Sequence, residues 1–354
     1  MLPLDGVQVL DLTRLLPGAV ATLWLANFGA EVIKIEQPGA SDYAPGIDSG
    51  EASPILKQIF TQTNRGKMSL ALDLKDPRGR EALLTMAEIA DVLIESFRPG
   101  VMNRLGCGFD ALKERNPQLI YTALTGYGQS GAYSSLAGHD INYLSLAGVL
   151  DVIGAKDGPP AIPGVQIADL AGGSMQAVIG ILLALAARER TGRGQMVDVS
   201  MIDGSAALLA IPLAQLAVGQ PPRRGDGLLS GRYACYSLYA ARDGRWISIG
   251  ALESKFWANL CRELGCEGFI ADQFAAEPRQ AEIKAALSNI FQTRDAEEWF
   301  ALLGHKDCCL TPVRTVEEAA NDPVSHAREI GAIPRLSDTP GRNPASYEPR
   351  GNSR

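Results

Sequence analysis

Val7-Gln-Val-Leu-Asp-Leu12, Thr13-Arg-Leu-Leu-Pro-Gly18 and Glu31-Val-Ile-Lys-Ile-Glu36 are the stretches that decide the fold. The first and third read as strands, and the second is a turn whose Pro17 is placed to open a helix. That helix covers residues 19–27 and stops at Phe28-Gly29, so the opening is a strand–helix–strand unit. The alternation continues. Residues 77–90 have helical apolar spacing, while 91–95 and 119–124 are strand-like. Strands alternating with helices imply a parallel sheet with helices on its faces. Residues 38–63, rich in Gly, Pro, Ser and Asp, are long for a plain connection, and loops of that length often cover a site.

Farther along, the 11-residue apolar run 177–187 reads as a buried helix, too short to span a bilayer. Thr191-Gly-Arg-Gly-Gln195 then turns into a strand at 196–199. The texture changes after 220–231, a stretch with two prolines, two arginines and three glycines. Strand-like residues 233–239 and 245–249 flank Asp243-Gly244, a strong hairpin signal. Helical stretches follow at 253–264 and 295–303, the second with Asp295 as its N-cap. The expected organisation is a large α/β domain over 1–200, a linker over 201–231 and a small α+β domain over 232–318. Residues 319–354 then return across the large domain. The fold class is α/β, with a Rossmann-like parallel sheet in the large domain.

Composition narrows the function. Of 354 residues 46% are hydrophobic, enough for a large core without disulfide or metal staples. Forty acidic against 33 basic residues give a net charge of −7, which argues against a nucleic-acid partner. The start, Met1-Leu-Pro-Leu-Asp5, lacks a charged region followed by an apolar one, so no secretory signal or membrane partner is expected. Cys107, Cys235, Cys261, Cys266, Cys308 and Cys309 form no Cys-x-x-Cys pair, and the three histidines lie far apart. No metal site is expected, and a reducing cytoplasm is the natural compartment.

Several residues carry candidate chemistry. The turn after the first strand lacks the Gly-x-Gly-x-x-Gly fingerprint, which disfavours a dinucleotide cofactor. His139, in Gly138-His-Asp-Ile-Asn-Tyr143, stands at the entrance of an apolar helical segment. There it either belongs to a helix cap, with Asp140 satisfying the first amides, or reaches a ligand beside free amide donors. Asp169 precedes Gly172-Gly173 and the apolar run; it is either an N-cap or a buried carboxyl fit for proton transfer. Glu253 closes a hydrophobic strand and starts a helix. Lys34, Arg65, Lys67, Lys75, Arg98 and Arg104 recur near strand ends or loops, and two or three of them are expected to meet phosphates. Cys308-Cys309 reads as core rather than nucleophile.

Nine stretches in order then resemble one superfamily over nearly the whole chain. They are 4–12, 28–39, Asn64-Arg-Gly-Lys67 with Leu70-Ala-Leu-Asp-Leu-Lys75, Phe97-Arg-Pro-Gly-Val101, Thr125-Gly-Tyr-Gly-Gln-Ser-Gly131, Gly138-His-Asp-Ile-Asn-Tyr143, 191–198, Gly250-Ala-Leu-Glu253 and 307–313. The sequence resembles the class III CoA-transferases and, within them, the α-methylacyl-CoA racemase branch. This implies an interlocked homodimer, an acyl-CoA thioester substrate of fatty acid metabolism, and no cofactor beyond the coenzyme A of the substrate. It also implies His139 and Asp169 as opposed bases, Glu253 as the orienting partner of His139, and an oxyanion-binding amide at Asp140. CoA contacts would fall on Leu72, Asp73, Leu74, Lys75, Arg98, Gly138, Ile141, Asn142 and Tyr143. The competing reading is a CoA-transferase with Asp169 as nucleophile; the His139–Glu253 pair favours the racemase. The chain departs from the racemases at Gln37, where they usually carry arginine, in a longer 41–63 insert, and in ending at Arg354 without a C-terminal helix.

Overall fold

Six short strands align in parallel: β1 (Gln8–Leu12), β2 (Glu31–Glu36), β3 (Met68–Ala71), β4 (Val92–Glu95), β5 (Ile120–Thr125) and β6 (Met196–Ser200). Their spatial order is β3-β2-β1-β4-β5-β6. The computed structural model describes residues 1–39, 53–324 and 330–342. Five of these strands follow the apolar runs of the sequence. The sixth, β3, is four residues at the edge of the sheet, with Met68 and Leu70 each 38% exposed, and it lacks the apolar run that marks the others. By contrast β4 and β5 are buried at every position, as strands covered on both faces must be.

Register fixes where the loops open. Gln8 pairs with Glu31, Leu12 with Glu95 and Glu36 with Ala71, so neighbouring strands finish close together. The order reverses between β1 and β4, and in an open parallel sheet the crevice beyond the strand ends at that reversal is where ligands sit. One face of the sheet packs Leu10, Leu12, Leu93 and Tyr121 against Leu83 and Ala87 of the helix Pro77–Ala87. Asp76 caps that helix, accepting the Arg78 N–H at 2.8 Å.

The interior also holds charge. Asp11 of β1 is fully buried and accepts from the hydroxyls of Thr13 and Thr22, each at 2.6 Å. Lys67 Nζ stands 3.3 Å from the same carboxylate and also donates to Ala19 O and Asn64 Oδ1, each at 2.9 Å. Lys34 Nζ donates to Thr13 O at 2.8 Å. Burial opposes ionisation of Asp11 most strongly, but the Lys34 and Lys67 charges and the two hydroxyls together outweigh it and hold its pKa at about 2. Lys34 and Lys67, expected among the candidate phosphate ligands, are 0% and 4% exposed and serve the core instead.

The apolar run 177–187 belongs to a longer element. A helix of 24 residues, Ala168–Thr191, is long and apolar enough to cross a membrane by length and composition. It is not the buried helix the run suggests. Ala177, Ile181 and Ala184 are buried on the side facing β5 and β6, while Met175, Ile179, Leu182 and Leu183 are exposed.

The chain divides into two compact units. Unit one comprises Met1–Leu150, Ile162–Leu209 and Glu329–Arg354; unit two comprises Asp151–Ala161 and Ala210–Arg328. Residues 201–231, expected as a linker, carry the helices Met201–Ala206 and Ala210–Ala217. Of the 41–63 insert, Ser53–Thr63 is helical and the rest lies outside the described residues. Of the C-terminal segment 319–354, residues 319–324 belong to unit two, where the helix Val316–Asn321 crosses the expected boundary, and residues 330–342 to unit one, where Arg342 N–H donates to Asn27 O at 2.7 Å and Arg65 donates to Ile330 O at 3.1 Å.

In unit two, β7 (Tyr236–Ala240), β8 (Trp246–Gly250) and β9 (Leu310–Pro312) form an antiparallel sheet in that order. The hairpin turns at Asp243-Gly244, with Gly244 at φ +77°, a conformation that favours glycine. Ile247, Ile249, Trp257, Leu287, Phe291 and Trp299 make the core, which also contains Cys308 as expected; Cys309, expected there with it, is exposed instead, because burial alternates along the chain entering β9. Asp295 caps Ala296–Leu303, and Glu298 reaches back to accept its N–H at 2.9 Å.

Removing one member of a buried ion network leaves the other charge uncompensated. Lys67→Met is expected to lower the unfolding free energy by roughly 3–5 kcal/mol, measured by urea denaturation followed by circular dichroism. Because the Asp11 pKa is depressed when folded, the stability it contributes is present above its unfolded value and is lost as pH falls toward about 2. Wild-type stability in the Lys67→Met protein would mean that Lys34 alone balances the carboxylate.

Candidate active site

Three loops of unit one leave the C-terminal ends of β3, β4 and β5, and they carry most of the candidate residues. Leu72, Asp73, Leu74 and Lys75 follow β3, with Leu72 N–H donating to Glu36 O at 2.8 Å and Asp73 Oδ1 accepting the Lys75 N–H at 2.9 Å. Arg98 follows β4. Gly138, His139, Asp140, Ile141, Asn142 and Tyr143 follow β5 and open the helix Asp140–Leu146. Lys75, Arg98 and Arg104 are exposed, unlike Lys34 and Lys67.

The loop after β5 is held by aromatic rings. The Tyr143 hydroxyl donates to Gly138 O, and the Tyr127 and Tyr143 rings meet edge-on with centroids 5.2 Å apart. A Cβ at Gly138 would lie 2.7 Å from the Tyr127 hydroxyl, so glycine is required there for packing. Tyr127 is a site residue that sequence reasoning misses. Its only signal is its place in Thr125-Gly-Tyr-Gly128, a matching stretch with no role attached.

His139 is exposed and occupies the N-cap position of the short helix, where its N–H donates to Asn142 Oδ1 at 3.0 Å. Asp140 is thus the first helical residue and not the cap; its own N–H has no intrahelical acceptor. The Asp140 carboxylate has a different partner. Its Oδ1 accepts the backbone N–H of Asp169 at 2.9 Å.

Asp169 lies in a π-helical turn, Ala168–Ser174, that runs straight into Met175–Thr191. It is therefore inside a helix and not its N-cap. Such widened turns interrupt the regular ladder and recur at functional sites. The turn is pinned by Ser174, whose hydroxyl donates to Pro17 O at 2.6 Å. Gly172 and Gly173 allow the close approach of Met201: a Cβ on Gly172 would sit 2.7 Å from Met201 O. Burial, and then the neighbouring Asp140 charge, push the Asp169 carboxyl up to about 7. Burial also raises the Tyr143 phenol, helped by Asp169, Tyr127 and Asp140 and opposed by Arg98. These mutual effects gather Arg98, Asp140, Tyr143 and Asp169 around one locus.

Glu253 belongs to unit two. It is exposed, immediately before the helix Ser254–Glu263, and its side chain does not cap that helix. Among the described residues, no cluster of three or more metal-ligating side chains occurs.

A carboxyl poised near neutrality at the open edge of a parallel sheet suits acyl-group chemistry, and family comparison is decisive on the class. The profile of CoA-transferase family III matches residues 4–345. The chain belongs to this family. It is 38% identical to the α-methylacyl-CoA racemase of Mus musculus over 98% of this chain and 90% of that protein. It is 37% identical to the acetyl-CoA:oxalate CoA-transferase of Acetobacter aceti over 93% of this chain and 85% of that one. A solved structure of a hypothetical protein from Mycobacterium tuberculosis superposes with a TM-score of 0.81 at 30% identity, covering 98% and 96% of the two chains. The family implies CoA thioester substrates, and it contains both racemases and transferases close to this enzyme.

Within this family III enzyme the contact between the two acids is testable directly. Asp140→Asn keeps an acceptor for the Asp169 N–H and removes the charge. Asp169 is then expected to titrate below about 7 but above the ordinary carboxylate range, because burial remains. A ¹³C NMR titration of carboxyl-labelled aspartate reads the shift. An unmoved midpoint would assign the whole effect to burial.

Proposed function

We propose that the enzyme is a 2-methylacyl-CoA racemase, interconverting (R)- and (S)-2-methylacyl-CoA by proton transfer at the α-carbon. The observation that supports this reading best is the association of two different proton carriers: His139 is the N-cap of the helix whose first residue, Asp140, accepts the Asp169 N–H at 2.9 Å, and burial pushes the Asp169 carboxyl up to about 7. The α-proton of a thioester is very weakly acidic, so its removal needs a base on one face and hydrogen-bond donors on the developing enolate oxygen. Return of a proton from the opposite face inverts the centre. In one direction His139 takes the α-proton and protonated Asp169 donates; in the other the roles exchange.

The Asp140 N–H, without an intrahelical acceptor, is assigned to the enolate oxygen. Glu253 keeps the orienting role that the resemblance implies for it. Leu72, Asp73, Leu74, Lys75, Arg98, Gly138, Ile141, Asn142 and Tyr143 are assigned to the CoA moiety. Coenzyme A enters as part of the substrate, and the proposed chemistry uses no further cofactor.

The second reading is a CoA-transferase, favoured by the 37% identity to the oxalate enzyme of Acetobacter aceti. There Asp169 would attack the thioester carbonyl as a carboxylate, releasing CoA thiolate and forming an acyl-enzyme anhydride. Asp169 serves either reaction; the racemase reading is preferred because a second proton carrier, His139, stands at the N-cap of the helix whose Asp140 holds the Asp169 N–H, and a carboxylate nucleophile needs no such partner. We also propose a homodimer in the cytoplasm; the exposed apolar row of Met175, Ile179, Leu182 and Leu183 supports the dimer, and six free cysteines suit a reducing compartment.

Incubating one epimer of a 2-methylacyl-CoA in D₂O without acceptor acid is expected to remove the α-proton signal and produce the other epimer, as followed by proton NMR. His139→Ala and Asp169→Ala are each expected to lower the rate by about 10²–10⁴-fold. Absence of exchange, with CoA transfer once a free carboxylic acid is added, would replace the racemase by the transferase.

A further inference from the structure

Between β1 and the helix Leu15–Asn27 the chain turns at Thr13-Arg14-Leu15, beside the point where the strand order reverses. Arg14 is exposed there, yet it is fixed from two neighbouring loops. Its backbone N–H donates to Ser96 Oγ at 2.9 Å, in the loop after β4. Its guanidinium lies over the ring of Phe97, 5.6 Å from the centroid, in that same loop. Its Nη2 donates to Gln37 Oε1 at 3.1 Å, in the loop after β2. Leu15 next to it takes φ +65°, the left-handed region that a non-glycine residue rarely enters. These loops all leave the C-terminal ends of their strands, on the edge where this topology places ligands.

The charge balance is as informative as the geometry. Among the described residues no carboxylate pairs with Arg14; the acceptor that holds it is a neutral amide. By contrast, Arg78 and Arg115 in the same unit each meet an acid within 2.9 Å. An oriented guanidinium that no described carboxylate neutralises presents a planar fork of donors that matches a phosphate. A surface arginine that is merely solvated has no reason to be aligned from two loops, since alignment costs it rotamer entropy.

We propose that Arg14 clamps a phosphate group of the CoA nucleotide, with Gln37 and Phe97 as the residues that position its guanidinium. This rests on the reading of the substrate as a CoA thioester, and it holds for racemase and transferase alike. CoA carries two kinds of phosphate, the 5′-pyrophosphate and the 3′-phosphate, and both offer the same chemistry to the fork.

Isothermal titration of CoA and of 3′-dephospho-CoA into wild type, Arg14→Ala, Arg14→Lys and Gln37→Ala separates the cases. Arg14→Ala is expected to weaken CoA binding by about tenfold to a hundredfold, the range of a charged hydrogen bond. Arg14→Lys is expected to restore little, because an ammonium lacks the fork. Gln37→Ala is expected to fall between wild type and Arg14→Ala. If the 3′-phosphate is the partner, wild type and Arg14→Ala bind dephospho-CoA alike; if the pyrophosphate is, Arg14→Ala weakens both ligands equally. An Arg14→Ala protein with wild-type circular dichroism and undiminished affinity for CoA would overturn the assignment. Wild type that binds neither ligand would instead overturn the CoA reading, and the clamp with it.

Discussion

A buried carboxylate at the end of β1 is the constraint on which the open edge of the first sheet depends. Asp11 gathers donors from Thr13, from Thr22 in the first helix and from Lys67 at the start of β3, while Lys34 from β2 holds the carbonyl of Thr13. A charge so far from water is tolerable only because its oxygens are engaged by donors and cations neutralise it. The network therefore fixes three strands and one helix relative to one another. It also fixes the turn that follows β1, because Thr13 is both donor and acceptor in it. Gly18 is forced by the same crowding, since any Cβ there would collide with the Thr13 side chain.

Downstream of that frame, burial and a neighbouring acid together raise the Asp169 carboxyl. Asp140 begins a helix and sends its carboxylate to the backbone of Asp169, 29 residues away, closing a π-turn that two glycines and Ser174 already press against Met201 and Pro17. The same contact brings a negative charge beside a half-buried carboxyl and so opposes its ionisation. The position of Asp169, and the smaller part of its resistance to ionisation, are thus tied to one neighbour, while burial supplies the larger part. Tyr127 and Tyr143 contribute by packing around Gly138, which places the neighbouring His139 at the mouth of the helix.

Much of this is legible in the sequence, and the exceptions have physical causes. Strands β1, β2, β4, β5 and β6 announce themselves by β-branched and apolar runs, because buried strands need them. Edge strand β3 does not, since its side chains are largely open to water. The basic residues could not be sorted by type. Lys34 and Lys67 look like phosphate ligands in sequence, but each faces an interior acceptor that a distant segment supplies. Likewise Asp140 and Asp169 both resemble N-caps, and their true partners are one another's groups, which no local rule connects.

Local sequence specifies the alternating architecture of the first unit, the hairpin of the second, the family, and the candidacy of His139, Asp169 and Glu253. These follow from periodicity, turn chemistry and motif order, which are properties of neighbouring residues along the chain. Folding in three dimensions sorts the charges into interior ones and ones at the open edge, places Asp169 in a π-turn tied to Asp140, and aligns Arg14 by Gln37 and Phe97. Those facts depend on contacts between segments tens of residues apart. Burial and electrostatic environment arise from such contacts, and they act on a side chain irrespective of its neighbours in sequence.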